Sequence, residues 1–130
     1  MSRAEQVQAA LEAAHKRSVS VPADEQAQYV QDVLGGRLAA AALGIRDTRT
    51  LQSWGRGGAI KGLDQEHRLQ ALYRATVALC DAFSPSVAAA FLRGSNPTLD
   101  GRAPMLVLAD DPPAEAETQV MTAVEALLDA

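Results

Sequence analysis

Between residues 46 and 56 the chain carries Arg46, Thr48, Arg49, Gln52, Ser53 and Arg56, side chains whose shared chemistry is the reading of DNA. A guanidinium can grip a guanine edge with two parallel hydrogen bonds, and a glutamine amide can do the same for adenine. Threonine and serine hydroxyls can hold backbone phosphates beside a helix N-terminus. No comparable set for catalysis is found elsewhere. Cys80 is the single cysteine, and His15 and His67 stand far from it and from each other, so no zinc-ligand spacing exists. Carboxylate pairs and nucleophile–base sets are missing as well, and GRGG at residues 55–58 has no preceding strand to make it a phosphate loop. These residues point to a binding protein that is not an enzyme and needs no cofactor or metal.

To present those six side chains on one surface, the sequence needs a rigid pair of helices, and GRLAAAALGIRDTRTLQSWGRGG supplies the pattern of a helix-turn-helix near residues 36–56. Leu38, Ala39, Ala40 and Leu43 suit the inner face of a first helix. Gly44 permits the turn, and Ile45 plugs the space beneath it. Leu51 and Trp54, spaced i, i+3, face inward from the second helix and leave the polar set outside. Counted from Gly44, Leu51 and Trp54 fall one place later than the commonest spacing, so the turn is one residue longer. The alternative is plainer: two short helices around a glycine are common in all-α proteins, and the arginines then form a solvated face.

The rest of the chain reads as support for an all-α fold, a compact helical bundle of about six helices. Its 130 residues suffice for one domain. Apolar content is high but rich in alanine and poor in aromatics, which favours closely packed helices over a sandwich. Helical periodicity covers residues 3–17 through Ala4, Val7, Leu11 and Ala14, and 23–34 through Tyr29, Val30, Val33 and Leu34. From Asp64 to Phe83 the positions Leu69, Leu72, Tyr73, Thr76, Leu79, Cys80 and Phe83 predict a long core helix with one inner face. Ser84 and Pro85 open a short helix over 85–93. The segment SNPTLDGRAPMLVLADDPP reads as an ordered loop pinned by Met105 to Leu108, with a strand as the alternative, and a last helix buries Val120, Met121, Val124, Leu127 and Leu128.

The net charge of −4 is unevenly spread: residues 1–34 carry −2, residues 35–74 carry +4 and residues 75–130 carry −6. The basic charge is thus central, where a DNA contact would need it. No stretch approaches a membrane span, and MSRAEQVQ lacks the apolar core of a signal peptide, so a cytoplasmic protein without a membrane partner is expected.

From Leu34 to Leu128 the chain resembles the Xre/MbcA/ParS type of bacterial antitoxin. The resemblance rests on LGGRLAAAALGIRDTRTLQSWGRG, on RLQALY at residues 68–73, and above all on AAFLRGSNPTLDGRAPMLVL at residues 89–108. It implies an Xre-like helix-turn-helix that binds operator DNA as a homodimer, and a C-terminal region that neutralises an NAD-consuming RES-domain toxin. The toxin-binding positions so implied are Arg93, Asn96, Pro97, Leu99, Gly101, Arg102 and Pro104. The chain then divides into residues 1–34, N-terminal helices serving as an arm or dimerisation element; 35–83, the helix-turn-helix module with its long core helix; and 84–130, the toxin-binding region. A stand-alone or phage-derived transcriptional regulator without a toxin is the alternative, and a pure protein-interaction module a third. Residues 96–104 have a plain structural use too, as a turn stiffened by Pro, Asn and Asp.

Overall fold

The computed structural model describes residues 2–130; Met1, the first residue of the expected 1–34 segment, lies outside them. Its organising element is α5, Leu63–Ala82. Buried residues run without a break from Ala75 to Leu79, more than one full turn, so this stretch of the helix has no solvent face. Sequence periodicity predicts one inner face; the structure instead surrounds the helix. Ala71, Ala75 and Ala78 are thin enough for neighbours to approach on the remaining sides. Those neighbours are α1 (Arg3–Ser20), α2 (Ala23–Leu34), α6 (Pro85–Arg93) and α8 (Pro113–Leu128). Thr76 is fully buried, and its hydroxyl is satisfied by the Leu72 carbonyl at 2.7 Å. Phe83 is not part of this core: it is the C-cap residue of α5 and is 46% exposed.

α1 lies along α5 with Val7, Ala14 and Ser18 buried and Leu11 packed at the edge, while Ala4 faces solvent. Its start is clasped by Arg3, whose guanidinium donates to the Leu128 carbonyl at 3.0 Å and to the Ala130 carbonyl. The turn into α2 is held by Gln26, a buried amide that donates to the carbonyls of Ser18 and Val21, each at 2.9 Å. Tyr29 of α2 meets Tyr73 of α5 edge to face, with ring centroids 5.2 Å apart.

All the described residues in regular structure are helical, in eight α-helices and one 3-10 turn, where about six helices are expected from sequence. The largest departure is α7, Pro104–Asp110, which takes the place of the expected ordered loop and excludes the strand alternative. Pro104 occupies the first turn, where its missing N–H costs nothing. Val107 and Leu108 are fully buried, and Pro112 and Pro113 open α8. The end of α7 is capped from outside, because the Arg68 guanidinium donates to the carbonyls of Leu108 and Asp111. Arg68→Ala is therefore expected to lower stability by about 3 kcal/mol, since two charge-assisted bonds disappear and two carbonyls lose their donor. Urea unfolding followed by circular dichroism measures this, and Arg68→Lys should recover less than half, an ammonium lacking the planar fork.

No helix is long and apolar enough to cross a membrane among the described residues.

Candidate nucleic-acid interface

Two short helices, α3 (Gly36–Leu43) and α4 (Thr48–Gly55), are joined by residues 44–47. The alanine-rich α3 buries Leu38, Ala39, Ala40, Ala42 and Leu43, so almost its whole circumference is spent on packing. Gly44 then turns left-handed at φ 72°, while the Ile45 amide donates back to the Ala40 carbonyl and the Gly44 amide to that of Ala41. A Cβ on Gly44 would also stand 3.2 Å from the Ala109 carbonyl of α7. The backbone conformation thus calls for glycine, and the tight contact disfavours a Cβ as well.

Asp47 is the N-cap of α4, its carboxylate accepting from the Thr50 amide at 3.0 Å. That backbone bond, the largest of several influences, holds the Asp47 carboxyl below its ordinary value, so it is charged at neutral pH. A carboxylate of the chain itself thus already takes one amide of this helix's first turn. Asp47, three residues before Thr50, is a capping signal legible in the sequence and absent from the expected site.

α4 buries Leu51 and Trp54 and packs chiefly on α2. Gln31 of α2 bridges the two, donating to the Ala27 carbonyl at 3.0 Å and the Leu51 carbonyl at 3.1 Å. A Cβ on Gly55 would lie 2.7 Å from the Gln28 amide oxygen, so the end of that side chain rests against the glycine. Of the six residues expected to contact DNA, Arg46, Arg49, Gln52, Ser53 and Arg56 are exposed. Positions 49, 52, 53 and 56 fall at i, i+3, i+4 and i+7, one stripe at helical spacing, with Arg56 as C-cap. Thr48 differs: it is half-buried, and its methyl lies 3.3 Å from where a Cβ on Gly36 would stand, which ties α4 to the start of α3.

The electrostatics divide more finely than the sequence partition suggests. Of the central basic residues, Arg68 caps α7 and Arg74 pairs with Glu117 at 3.4 Å, so both serve the C-terminal half. Arg37, Arg46, Arg49, Arg56 and Lys61 are exposed and, among the described residues, form no ion pair. Lys61, in the loop beyond the end of α4, carries no helical spacing that would have marked it in the sequence.

The second set of expected contacts is a built turn. The Asn96 side-chain oxygen accepts from the Thr98 amide at 2.9 Å, opening the 3-10 turn Pro97–Leu99, and Asp100 and Gly101 follow with φ of 56° and 85°. The Asn96 carbonyl accepts from Leu99 and Gly101, and its amide donates to the Arg102 carbonyl. Leu99 and Pro104 are buried anchors. Arg93, Pro97, Gly101 and Arg102 are exposed, though Arg102 makes two bonds of 2.9 Å to the Asp111 carboxylate. The Arg102 guanidinium holds the Asp111 carboxyl below its ordinary 3.8, with Gln119 assisting. A carboxyl whose pKa is lower folded than unfolded stabilises above the unfolded value, and loses that contribution as pH falls through the folded one. Stability measured by urea unfolding should therefore decline below pH 3.8, and less steeply in Arg102→Ala.

No protein-family model, curated protein or solved structure matches this chain.

Proposed function

We propose that this protein is a cytoplasmic antitoxin of a type II toxin–antitoxin system, a binding protein rather than an enzyme. In this reading α3, the turn and α4 form a helix-turn-helix that binds operator DNA, and the C-terminal half neutralises a RES-domain, NAD-consuming toxin. The observation that carries the DNA part is the exposed stripe Arg49, Gln52, Ser53 and Arg56, with Arg46 beside it, free of ion pairs and backed by the buried Leu51 and Trp54. A stripe of this kind offers base-edge readers and phosphate grips on a helix that cannot roll. Binding as a homodimer would set two such helices about 34 Å apart, one turn of the duplex. The toxin part draws on the resemblance of residues 89–108, on the fixed turn that displays Pro97 and Gly101, and on Arg93, exposed at the end of α6.

A second reading is favoured by a specific observation: Asn96, Leu99 and Pro104 are spent on holding the turn, and Arg102 on Asp111. A segment used so fully for structure suits a regulator with no toxin, stand-alone or phage-derived.

Fluorescence anisotropy with the duplex upstream of the protein's own reading frame, against a scrambled duplex, tests the DNA reading. Binding that prefers the upstream duplex and weakens linearly in log K with log salt is expected. No binding at 50 mM salt would reject it. Expression of the neighbouring reading frame's product, toxic alone and harmless with this chain, distinguishes antitoxin from regulator.

A further inference from the structure

A cleft of about 570 Å³ opens beside α4, lined by Asp47, Arg49 and Ser53 of α4 and its cap and by Ala59, Lys61 and Gln65 from the loop after α4 and the first turn of α5. The buried Trp54 lines it as well. The cleft therefore depends on this loop folding back beside the helix. The loop is fixed by the Gly57 and Gly58 amides, which donate to the carbonyls of Trp54 and Ser53.

Two of the three charged side chains in the cleft, Arg49 and Lys61, are cations without an ion-pair partner, one from α4 and one from the loop that follows it. The third, Asp47, is bonded to Thr50. Glu66, in the first turn of α5, lines a different depression and leaves the cleft cationic. A single anionic oxygen cluster held between two cations, with the Ser53 hydroxyl at hand, is the chemistry of a phosphodiester.

We infer that this cleft seats one phosphate of the DNA backbone between Arg49 and Lys61, with Asp47 opposing it. The inference rests on the DNA-binding reading and adds to it a residue, Lys61, and a sign. Asp47 stabilises α4 but repels the strand, so the site is built with a brake on its non-specific affinity. Asparagine caps as well as aspartate and lacks the charge, so helix and brake can be separated.

The test compares Lys61→Ala, Lys61→Arg and Asp47→Asn with the unaltered protein by anisotropy on the upstream and scrambled duplexes between 50 and 300 mM salt. Loss of one phosphate contact lowers the slope of log K against log salt by about 0.9, which is about eightfold in affinity at 0.1 M. Lys61→Ala should show that loss on both duplexes alike, Lys61→Arg should restore it, and Asp47→Asn should tighten binding to both. Unchanged affinity and slope in Lys61→Ala, while Arg49→Ala still weakens binding, overturns the cleft and leaves the DNA reading standing. Weaker binding by Asp47→Asn with an unaltered thermal transition overturns the brake. Failure of the unaltered protein to bind either duplex removes the reading itself, and the cleft with it.

Discussion

Arg49→Ala combined with Arg56→Ala is expected to reduce operator affinity at least about a hundredfold at 0.1 M salt. If each guanidinium neutralises one phosphate, the salt slope falls by about 1.8, which alone is roughly sixtyfold. Where either also grips a base edge, about 1–3 kcal/mol of discrimination goes with it, so the preference for the upstream duplex should shrink as well. Both residues are exposed and free of ion pairs, and neither supports the core. Circular dichroism and the thermal transition should therefore stay as they were. An unchanged slope in the double variant would mean that the stripe is a solvated face, the plain alternative.

Trp54→Ala should have the largest effect on folding near the interface, about 3–5 kcal/mol. The indole is 5% exposed and borders both the cleft beside α4 and the depression beneath Gly57 and Ile60. Its removal leaves a void that the loop cannot fill without leaving its bonds to Trp54 and Ser53 carbonyls. Measured against the roughly 5–15 kcal/mol typical of a whole domain, the loss is large enough to populate unfolded chains at ordinary temperature. Trp54 is the sole tryptophan, so unfolding of the variant has to be followed by circular dichroism rather than indole fluorescence. DNA binding should fall with the folded fraction. In Trp54→Phe, which keeps most of the volume, both should largely return.

What could be read from the sequence was what repeats along a helix. The inward pair Leu51 and Trp54 and the outward stripe obey a spacing set by backbone geometry, and so, in part, do the inner faces of α2 and α8, where Val30, Leu34, Val120, Val124 and Leu128 are buried but Tyr29, Val33, Met121 and Leu127 only partly so. Less legible was anything decided by a partner distant in sequence. α7 is short and flanked by prolines, and what completes it is Arg68, some forty residues earlier. The encirclement of α5 similarly depends on how many helices crowd its alanines, which no single stripe records. In the expected DNA contacts, Thr48 carried the right chemistry but is half-buried, with its methyl against Gly36. Among the expected toxin contacts, Asn96, Leu99 and Pro104 show the converse of exposure: their types fit recognition, while their positions are those of a turn and its anchors.

The 3.2 Å approach of the Ala109 carbonyl to the space above Gly44 also bears on how such a chain can evolve. α3 and α7, from opposite sides of the expected boundary at residues 83 and 84, share one continuous core. The two halves are consequently not exchangeable cassettes. A recombination event that grafted another C-terminal half onto residues 1–83 would uncover the apolar underside of α3 unless the incoming segment brought its own α7, with a backbone that tolerates the glycine corner. Point substitutions on the outer surface, by contrast, can alter what the chain presents while leaving the seam between the halves intact.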